Sequence, residues 1–248
     1  MRWLTAICCL FTFLPLSAQK SWVYDAFGAK VRGDTSLSTL YLVFTGHEYA
    51  EGAGVLCRAL KKEKVSAAFF FTGDFCRRYP KLVRKLKRRG HYVGAHSDKH
   101  LLYCDWSRRD SLLVSKDQFL EDLRQNLAVL ASLGIPREKA RWFIPPYEWY
   151  NRAIVEWSQE EGMIFFNYTP GTLSHADYTT DDASNYRSSA EIYQSILSYE
   201  SSHPNGLNGF FLLSHIGAGP ERTDKFYKRI GPLIRELKAR GYGFGHLE

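Results

Sequence analysis

The chain has 248 residues, 45% of them hydrophobic, enough for one large core, and α/β barrels often run to this length as a single domain. Its formal charge of +7 at pH 7 disfavours basic partners. The cations concentrate in Arg77-Arg78, 81–89 and 229–240, interleaved with Leu, Val and Ile as on solvated helix faces. No nucleic-acid recognition motif accompanies them, so no nucleic-acid partner is expected.

The first residues read as an export signal. Arg2 supplies a positive start, 3–16 is an apolar stretch too short to span a membrane, and Ser17-Ala18 offers a small-residue cleavage site before Gln19. A secreted or periplasmic protein, cut near Ala18 and without a stable membrane span afterwards, is expected. Cleavage would remove Cys8 and Cys9 and leave Cys57, Cys76 and Cys104. An odd number leaves at least one thiol unpaired within the chain.

Residues 19–37 are polar, contain glycine and are expected to be irregular. The run Leu40-Tyr41-Leu42-Val43-Phe44 is short, apolar and β-rich, as a buried strand requires. It ends in Thr45-Gly46-His47-Glu48. A helix is predicted over 50–64, a strand over 65–71 and a basic helix over 77–89, ended by Gly90. A third strand leads into His96. Residues 101–114 form an aromatic-containing excursion. Ser115 with Gln118 makes a capping box for a helix to 133. The strand 141–143 runs into Ile144-Pro145-Pro146-Tyr147-Glu148. A helix to 161, a strand over 163–167 and a long loop over 168–187 follow. Ser188 with Glu191 caps a helix to 199, the apolar strand 209–214 ends at His215, and a helix over 222–240 precedes a last strand.

Strands alternating with helices give parallel βα units, closed as a barrel or open as a doubly wound sheet. His47, Glu48, His96, His100, Glu148, Asn167 and His215 all fall at or just past C-terminal strand ends. In α/β barrels the active site gathers at that face. His96 and His100, four residues apart, can converge on one metal ion, and a catalytic metal typically takes three protein ligands plus water.

The order of motifs resembles the polysaccharide deacetylase family of carbohydrate esterases over 38–247. His96, Ser97 and His100 match its HSxxH motif. Ala67-Ala68-Phe69-Phe70-Phe71-Thr72-Gly73 is similar to its second-strand signature, and Leu213-Ser214-His215 to its Leu-x-His motif. The resemblance implies a distorted parallel (β/α) barrel of about seven strands in one domain, 38–248. It also implies removal of acetyl groups, N- or O-linked, from a glycan with one divalent metal ion. Zinc is the first choice, and cobalt or nickel also suit imidazole plus carboxylate.

Two motifs depart. The family's paired aspartates, a base and a metal ligand, fall on Thr45 and Gly46. The Arg of its Arg-Pro-Pro-Tyr-Gly motif falls on Ile144 and the Gly on Glu148. The aspartate that tunes the histidine acid falls near Asn167.

Side chains alternate along an extended segment, so Glu48 points with residue 46 and would be the third ligand beside His96 and His100. His47 would then approach the base position. The reverse assignment, His47 as ligand and Glu48 as base, stays open. By resemblance His215 is the general acid and the Tyr147 backbone N–H the oxyanion donor. Glu148 is a second candidate base or a binder of sugar hydroxyls. Tyr147, Trp149, Tyr150, Tyr103 and Trp106 are candidates to hold a sugar ring. Asp98 and Lys99 are expected to face solvent or orient neighbours. Asp74 and Asp105 are candidate partners for the histidine N–H groups. The competing reading is a barrel that binds carbohydrate, with or without metal, but does not hydrolyse it, motivated by the missing Asp pair and Arg.

Overall fold

The computed structural model describes residues 21–248; the expected export signal and cleavage site lie outside the described residues. A short hairpin comes first, β1 (Val23–Tyr24) antiparallel to β2 (Lys30–Arg32). Then β3 (Thr39–Gly46), β4 (Ala68–Phe71), β5 (Tyr92–Ala95), β6 (Trp142–Phe143), β7 (Ile164–Phe165), β8 (Phe211–His215) and β9 (Gly243–Phe244) build one parallel sheet. Its order is β7-β6-β5-β4-β3-β8, with β9 beside the start of β3. The helices are α1 (Ala53–Glu63), α2 (Gly73–Arg78), α3 (Pro80–Arg88), α4 (Lys116–Ser132), α5 (Arg152–Glu160), α6 (Ser189–Ser202) and α7 (Ile230–Ala239). The sheet curls into a distorted half-barrel with the helices outside it, as the alternating pattern implied.

Strand alternation splits the core into two layers. Leu40, Leu42 and Phe44 face outward into the helix layer with Phe69 and Phe71. Val43, Phe70, Phe166, Phe211 and Leu213 face inward and fill the barrel. Both faces of the strands are thus buried, which is why they read as continuous apolar runs. The next inward position after Val43 is Thr45, at the open C-terminal end.

The polar composition of 19–37 suggested an irregular segment, but its backbone closes the barrel. β7 and β8 do not pair with each other. β2 lies over the gap: Lys30 bridges Phe166 and Arg32 bridges Phe210. The Asn167 N–H donates to Lys30 O (2.9 Å) and Gly33 N–H to Gly209 O (2.7 Å). The buried Arg32 guanidinium donates to the carbonyls of Asn205, Gly206 and Asn208. Covering a bare strand edge in this way satisfies backbone groups that would otherwise be unpaired.

Two helices are shorter than their periodicity suggests. The segment 77–89 breaks at Tyr79 because Pro80 lacks an N–H and instead opens α3. The segment 222–240 makes a 3₁₀ turn at Phe226–Lys228 and becomes α-helical only at Ile230, where Pro232 fits in the first turn. Both capping boxes form as expected. Among the described residues the three cysteines are free and buried, and Cys57 is a small core residue of α1.

Candidate active site

A cleft of about 530 Å³ opens at the C-terminal end of the sheet. Thr45, His96, Glu148 and His215 line it, with His47, Glu48 and His100 beside them.

The HSxxH turn is fixed by α4. Asp122 accepts Ser97 Oγ (2.6 Å), Asp98 N–H (2.8 Å) and Lys99 N–H (2.9 Å). The His100 N–H donates to Ser97 Oγ (3.0 Å), and the His96 N–H to Asn126 Oδ1 (2.9 Å). These bonds hold Ser97 (φ 72°) and His100 (φ 57°) in the left-handed region, which non-glycine residues occupy mostly where the surroundings force it. The His96 Nδ1 lies 2.9 Å from the Ile144 carbonyl, which can only accept. The proton therefore sits on Nδ1 and Nε2 keeps its lone pair. Burial pushes His96 down to about 3 and His100 down to about 2, so both stay neutral at ordinary pH.

His47 joins this pair. Its ring stacks on His100 at 4.5 Å, its Nδ1 lies 3.3 Å from Thr72 Oγ1, and burial lowers its pKa too. β3 ends at Gly46, so strand alternation no longer governs residues 47 and 48. Glu48 sits exposed on the rim, with its carbonyl held by Arg78 and Tyr79. The structure thus brings His47, rather than Glu48, against the two histidines. Among the described residues no three His, Cys, Asp or Glu side chains stand at the spacing of a closed metal set. Three neutral imidazoles facing one cleft nonetheless have the donor chemistry that suits a divalent ion.

Opposite them lies the His215 pair. Asp177 Oδ1 is 2.7 Å from His215 Nδ1, and Asp177 Oδ2 accepts the His215 backbone N–H at 3.0 Å. Burial alone would lower the His215 pKa. The Asp177 charge and hydrogen bond, helped by Glu148, outweigh it and raise the pKa on balance. Asp177 comes from the long loop after β7, beyond the position where the fourth motif seemed to fall. Asn167 serves the other wall of the cleft. Its Nδ2 donates to the Glu148 carbonyl (3.2 Å) and lies 3.4 Å from the Tyr150 hydroxyl. Arg222, fully buried, pins the loop by donating to the carbonyls of Thr179 and Arg187 (both 2.8 Å).

Glu148 follows Pro145-Pro146 in a tight turn where Tyr147 (φ 58°) and Glu148 (φ 53°) are both left-handed. Burial pushes its carboxyl up to about 7, against the opposing pull of His215. The Tyr147 N–H lies in the first turn of a 3₁₀ segment, Pro146–Glu148, where helical N–H groups lack internal partners.

The aromatic rim differs in part from expectation. Trp106 (57% exposed) and Tyr147 (45%) line the cleft edge-to-face at 5.5 Å. Tyr49 and Tyr178 line it too, and nothing in the sequence distinguished them from other tyrosines. Trp149 backs the rim, tilted on Trp106 and packed over Arg109. Tyr150, expected on the sugar platform, is buried and donates its hydroxyl to Asp25 (2.7 Å). Tyr103 is likewise core. Asp98, expected to face solvent or orient neighbours, does not face solvent: it is buried and clamped by both Arg77 amino groups (2.9 and 2.8 Å). Asp74 pairs with Arg77 and Lys99, and Asp105 caps its own turn. Neither touches a histidine; the partner of His96 is the Ile144 carbonyl.

Gly46, where the resemblance places a ligand aspartate, is enclosed. A Cβ there would meet Ile216 Cγ2 at 2.8 Å, Phe75 Cε2 at 2.9 Å and Phe71 Cδ1 at 3.0 Å. Thr45, at the base position, is buried and its Oγ1 has no hydrogen-bond partner among the described residues.

This barrel, with its histidine turn and its histidine–aspartate pair at the C-terminal face, has the build of a carbohydrate esterase. The chain belongs to the polysaccharide deacetylase family, whose model matches residues 33–166. It is 27% identical over 239 residues to an uncharacterized 30.6 kDa protein of Geobacillus stearothermophilus, covering 94% of this chain and 79% of that one. A stretch of 78 residues is 40% identical to the peptidoglycan-N-acetylmuramic acid deacetylase PdaA of Bacillus subtilis, 31% of this chain and 28% of that one. The solved structure of PdaA superposes with a TM-score of 0.68 over 89% of this chain and 83% of that one, at 19% identity. A CE4 family pseudoenzyme of Bacillus anthracis superposes with a TM-score of 0.69 over 90% of this chain and 68% of that one, at 17% identity. At these identities the structural likenesses show a shared fold.

Proposed function

We propose that the protein is an exported hydrolase that removes acetyl groups from a polysaccharide or oligosaccharide. The observation that carries this reading is the Asp177–His215 pair and Glu148 facing His47, His96 and His100 across one cleft. Those three histidines would hold one divalent ion, zinc, cobalt or nickel, supplying Lewis acidity and a water acidified towards about 7.

The side chains divide the remaining work. Glu148, poised near neutral pH, takes the proton from the attacking water, whose oxygen bonds to the acetyl carbon. The Tyr147 N–H donates to the oxygen where negative charge gathers. His215, kept protonated by Asp177, then gives its proton to the departing sugar nitrogen or oxygen as that bond breaks. The products are acetate and a free amine or hydroxyl. N- and O-acetyl groups pass through the same kind of tetrahedral intermediate, so this apparatus serves either. Trp106 and Tyr147 offer faces on which a sugar ring packs. Glu48 lies exposed on the rim of the cleft.

The test is acetate release from a panel of acetylated glycans by the chain from Gln19 and by His215→Ala. Release by the parent that the variant loses supports the reading. A specific observation favours a second one: Thr45 and Gly46 carry no carboxylate, and one of the CE4 family structures that share this fold is a pseudoenzyme. A parent that binds the glycans yet releases no acetate would establish the carbohydrate-binding reading instead.

A further inference from the structure

The positive charge of the molecule is unevenly placed. No Asp or Glu occurs between Asp74 and Asp98, a stretch that carries eight cations. Six of them, Lys81, Arg84, Lys85, Lys87, Arg88 and Arg89, are exposed on α3 or at its C-cap. The helical period turns Val83 and Leu86 inward and gathers Lys81, Arg84, Lys85 and Arg88 on the outer face. Those four are i,i+3 and i,i+4 neighbours of one another. Like charges at that spacing destabilise a helix, and Lys81 in the first turn also opposes the macrodipole. Among the described residues none of the four pairs with a carboxylate, whereas Arg77, Lys99 and Arg235 do. Stability of the fold therefore gives no reason for this face.

α1 extends it. Arg58, Lys61, Lys62 and Lys64 are exposed on that helix or at its C-cap. Arg89 ties the two helices together by donating to the Cys57 carbonyl (3.5 Å). Where both helices end, Lys61, Lys64 and Arg89 line a groove of about 390 Å³. At the other end of α3 the strip reaches the active-site cleft, because Arg78 donates to the carbonyl of Glu48 on the rim (3.1 Å). The nine residues of α3 span about 13 Å between these points. None of the exposed large apolar side chains of the described residues lies on α1 or α3, so nothing here is suited to enter a bilayer. The groove at the end of the strip admits a narrow strand and excludes a flat surface.

We propose that the outer face of α3, continued by the C-terminal end of α1, binds an acidic polysaccharide strand, whose carboxylate or phosphate groups pair with Lys81, Arg84, Lys85 and Arg88. The charge complementarity stands apart from the reacting groups; the choice of a polysaccharide among polyanions rests on the deacetylase reading. On this assignment the glycan that enters the cleft is itself acidic, and the strip holds its continuation along the flank of the barrel.

The probe is polygalacturonate, an acidic polysaccharide without acetyl groups, with neutral dextran and vesicles of phosphatidylglycerol and phosphatidylcholine beside it. Binding to the chain from Gln19 is measured between about 50 and 200 mM salt, where ionic contacts to a polyanion weaken steeply. The variants are the triple Arg84→Ser, Lys85→Ser, Arg88→Ser and the charge-keeping double Arg84→Lys, Arg88→Lys. The parent should bind polygalacturonate, less tightly as salt rises, and should not bind dextran. The triple variant should bind about tenfold more weakly, since each exposed ion pair is worth about twofold, and with a flatter salt dependence. Its thermal midpoint should stay level or rise, because like-charge neighbours have gone. The charge-keeping variant should bind within about twofold of the parent, as a site that reads charge requires. A triple variant that binds as well as the parent would overturn the proposal, as would dextran bound as tightly as polygalacturonate. Vesicles bound by a parent that ignores polygalacturonate would overturn it in favour of a membrane surface. A parent that binds polygalacturonate through these residues yet releases no acetate from any glycan removes the deacetylase reading and leaves the strip. An active parent beside a triple variant of undiminished affinity removes the strip alone.

Discussion

Asp177 and His215 are joined twice, side chain to ring at 2.7 Å and side chain to backbone N–H at 3.0 Å. The double contact fixes the orientation of the ring and favours its protonated form against the opposing effect of burial. Nδ1 faces the carboxylate, so Nε2 is the nitrogen left to carry a proton to the leaving group.

This pairing sets a pH dependence. The folded His215 pKa is raised above its unfolded value of about 6.5. Its contribution to stability is therefore full below that value and fades as pH rises through the folded pKa. The acid form needed for catalysis disappears over the same interval. Asp177→Asn should move the alkaline limb of the kcat profile to lower pH and cut kcat by about 100-fold. An unmoved alkaline limb would show that Asp177 does not tune the acid.

Gly46→Asp should fail to rebuild the ligand position of the family. The space is filled by Ile216, Phe75 and Phe71, so the new side chain must displace packed core. Such overpacking costs about 1–3 kcal/mol, readable as a lower midpoint in chemical denaturation. An undiminished midpoint together with tighter metal binding would count against this account of the site.

Asp122→Ala should loosen the HSxxH turn without touching a reacting group. It removes the acceptor for Ser97 Oγ and for two backbone N–H groups. A loss of about 3 kcal/mol is expected on unfolding, since buried donors would be left unpaired. Activity should fall with it, because the left-handed turn that places His100 loses its support.

Metal content separates the candidate ligands. The parent is expected to hold about one divalent ion per chain, as catalytic sites of this kind do. His47→Ala, His96→Ala and His100→Ala should each lose it, and Glu48→Ala should keep it. A Glu48→Ala chain that loses metal while His47→Ala keeps it would restore the alternation-based assignment.

The sequence carried the architecture because strands buried on both faces announce themselves as apolar runs and because Ser115 and Ser188 mark their helix starts by local chemistry. His96, His100, Glu148 and His215 were legible for the same reason: each lies at or within a few residues of the C-terminal end of a strand, where position along the chain translates into position in space. The rest depended on contacts distant in sequence. Asp177 approaches His215 through a long irregular loop that no periodicity describes. Burial of Asp98 was not legible because Asp98 lies in the turn after β5 and its partner Arg77 lies on α2, 21 residues earlier. Tyr150 resembled the rim aromatics until its bond to Asp25 placed it in the core. The alternation used for Glu48 ended one residue earlier than the side chains it was meant to orient. The hairpin that closes the barrel is a backbone device, and composition does not record backbone pairing.

The most direct test is the rate of acetate release by Glu148→Gln against the parent, on a glycan the parent turns over. The substitution keeps the shape of the side chain and removes its capacity to accept a proton as a base. If Glu148 has taken over from the missing aspartate, kcat should fall by about 100- to 10,000-fold with little change in KM. A Glu148→Gln chain as fast as the parent would contradict the account and return the search for the base to His47 and Glu48.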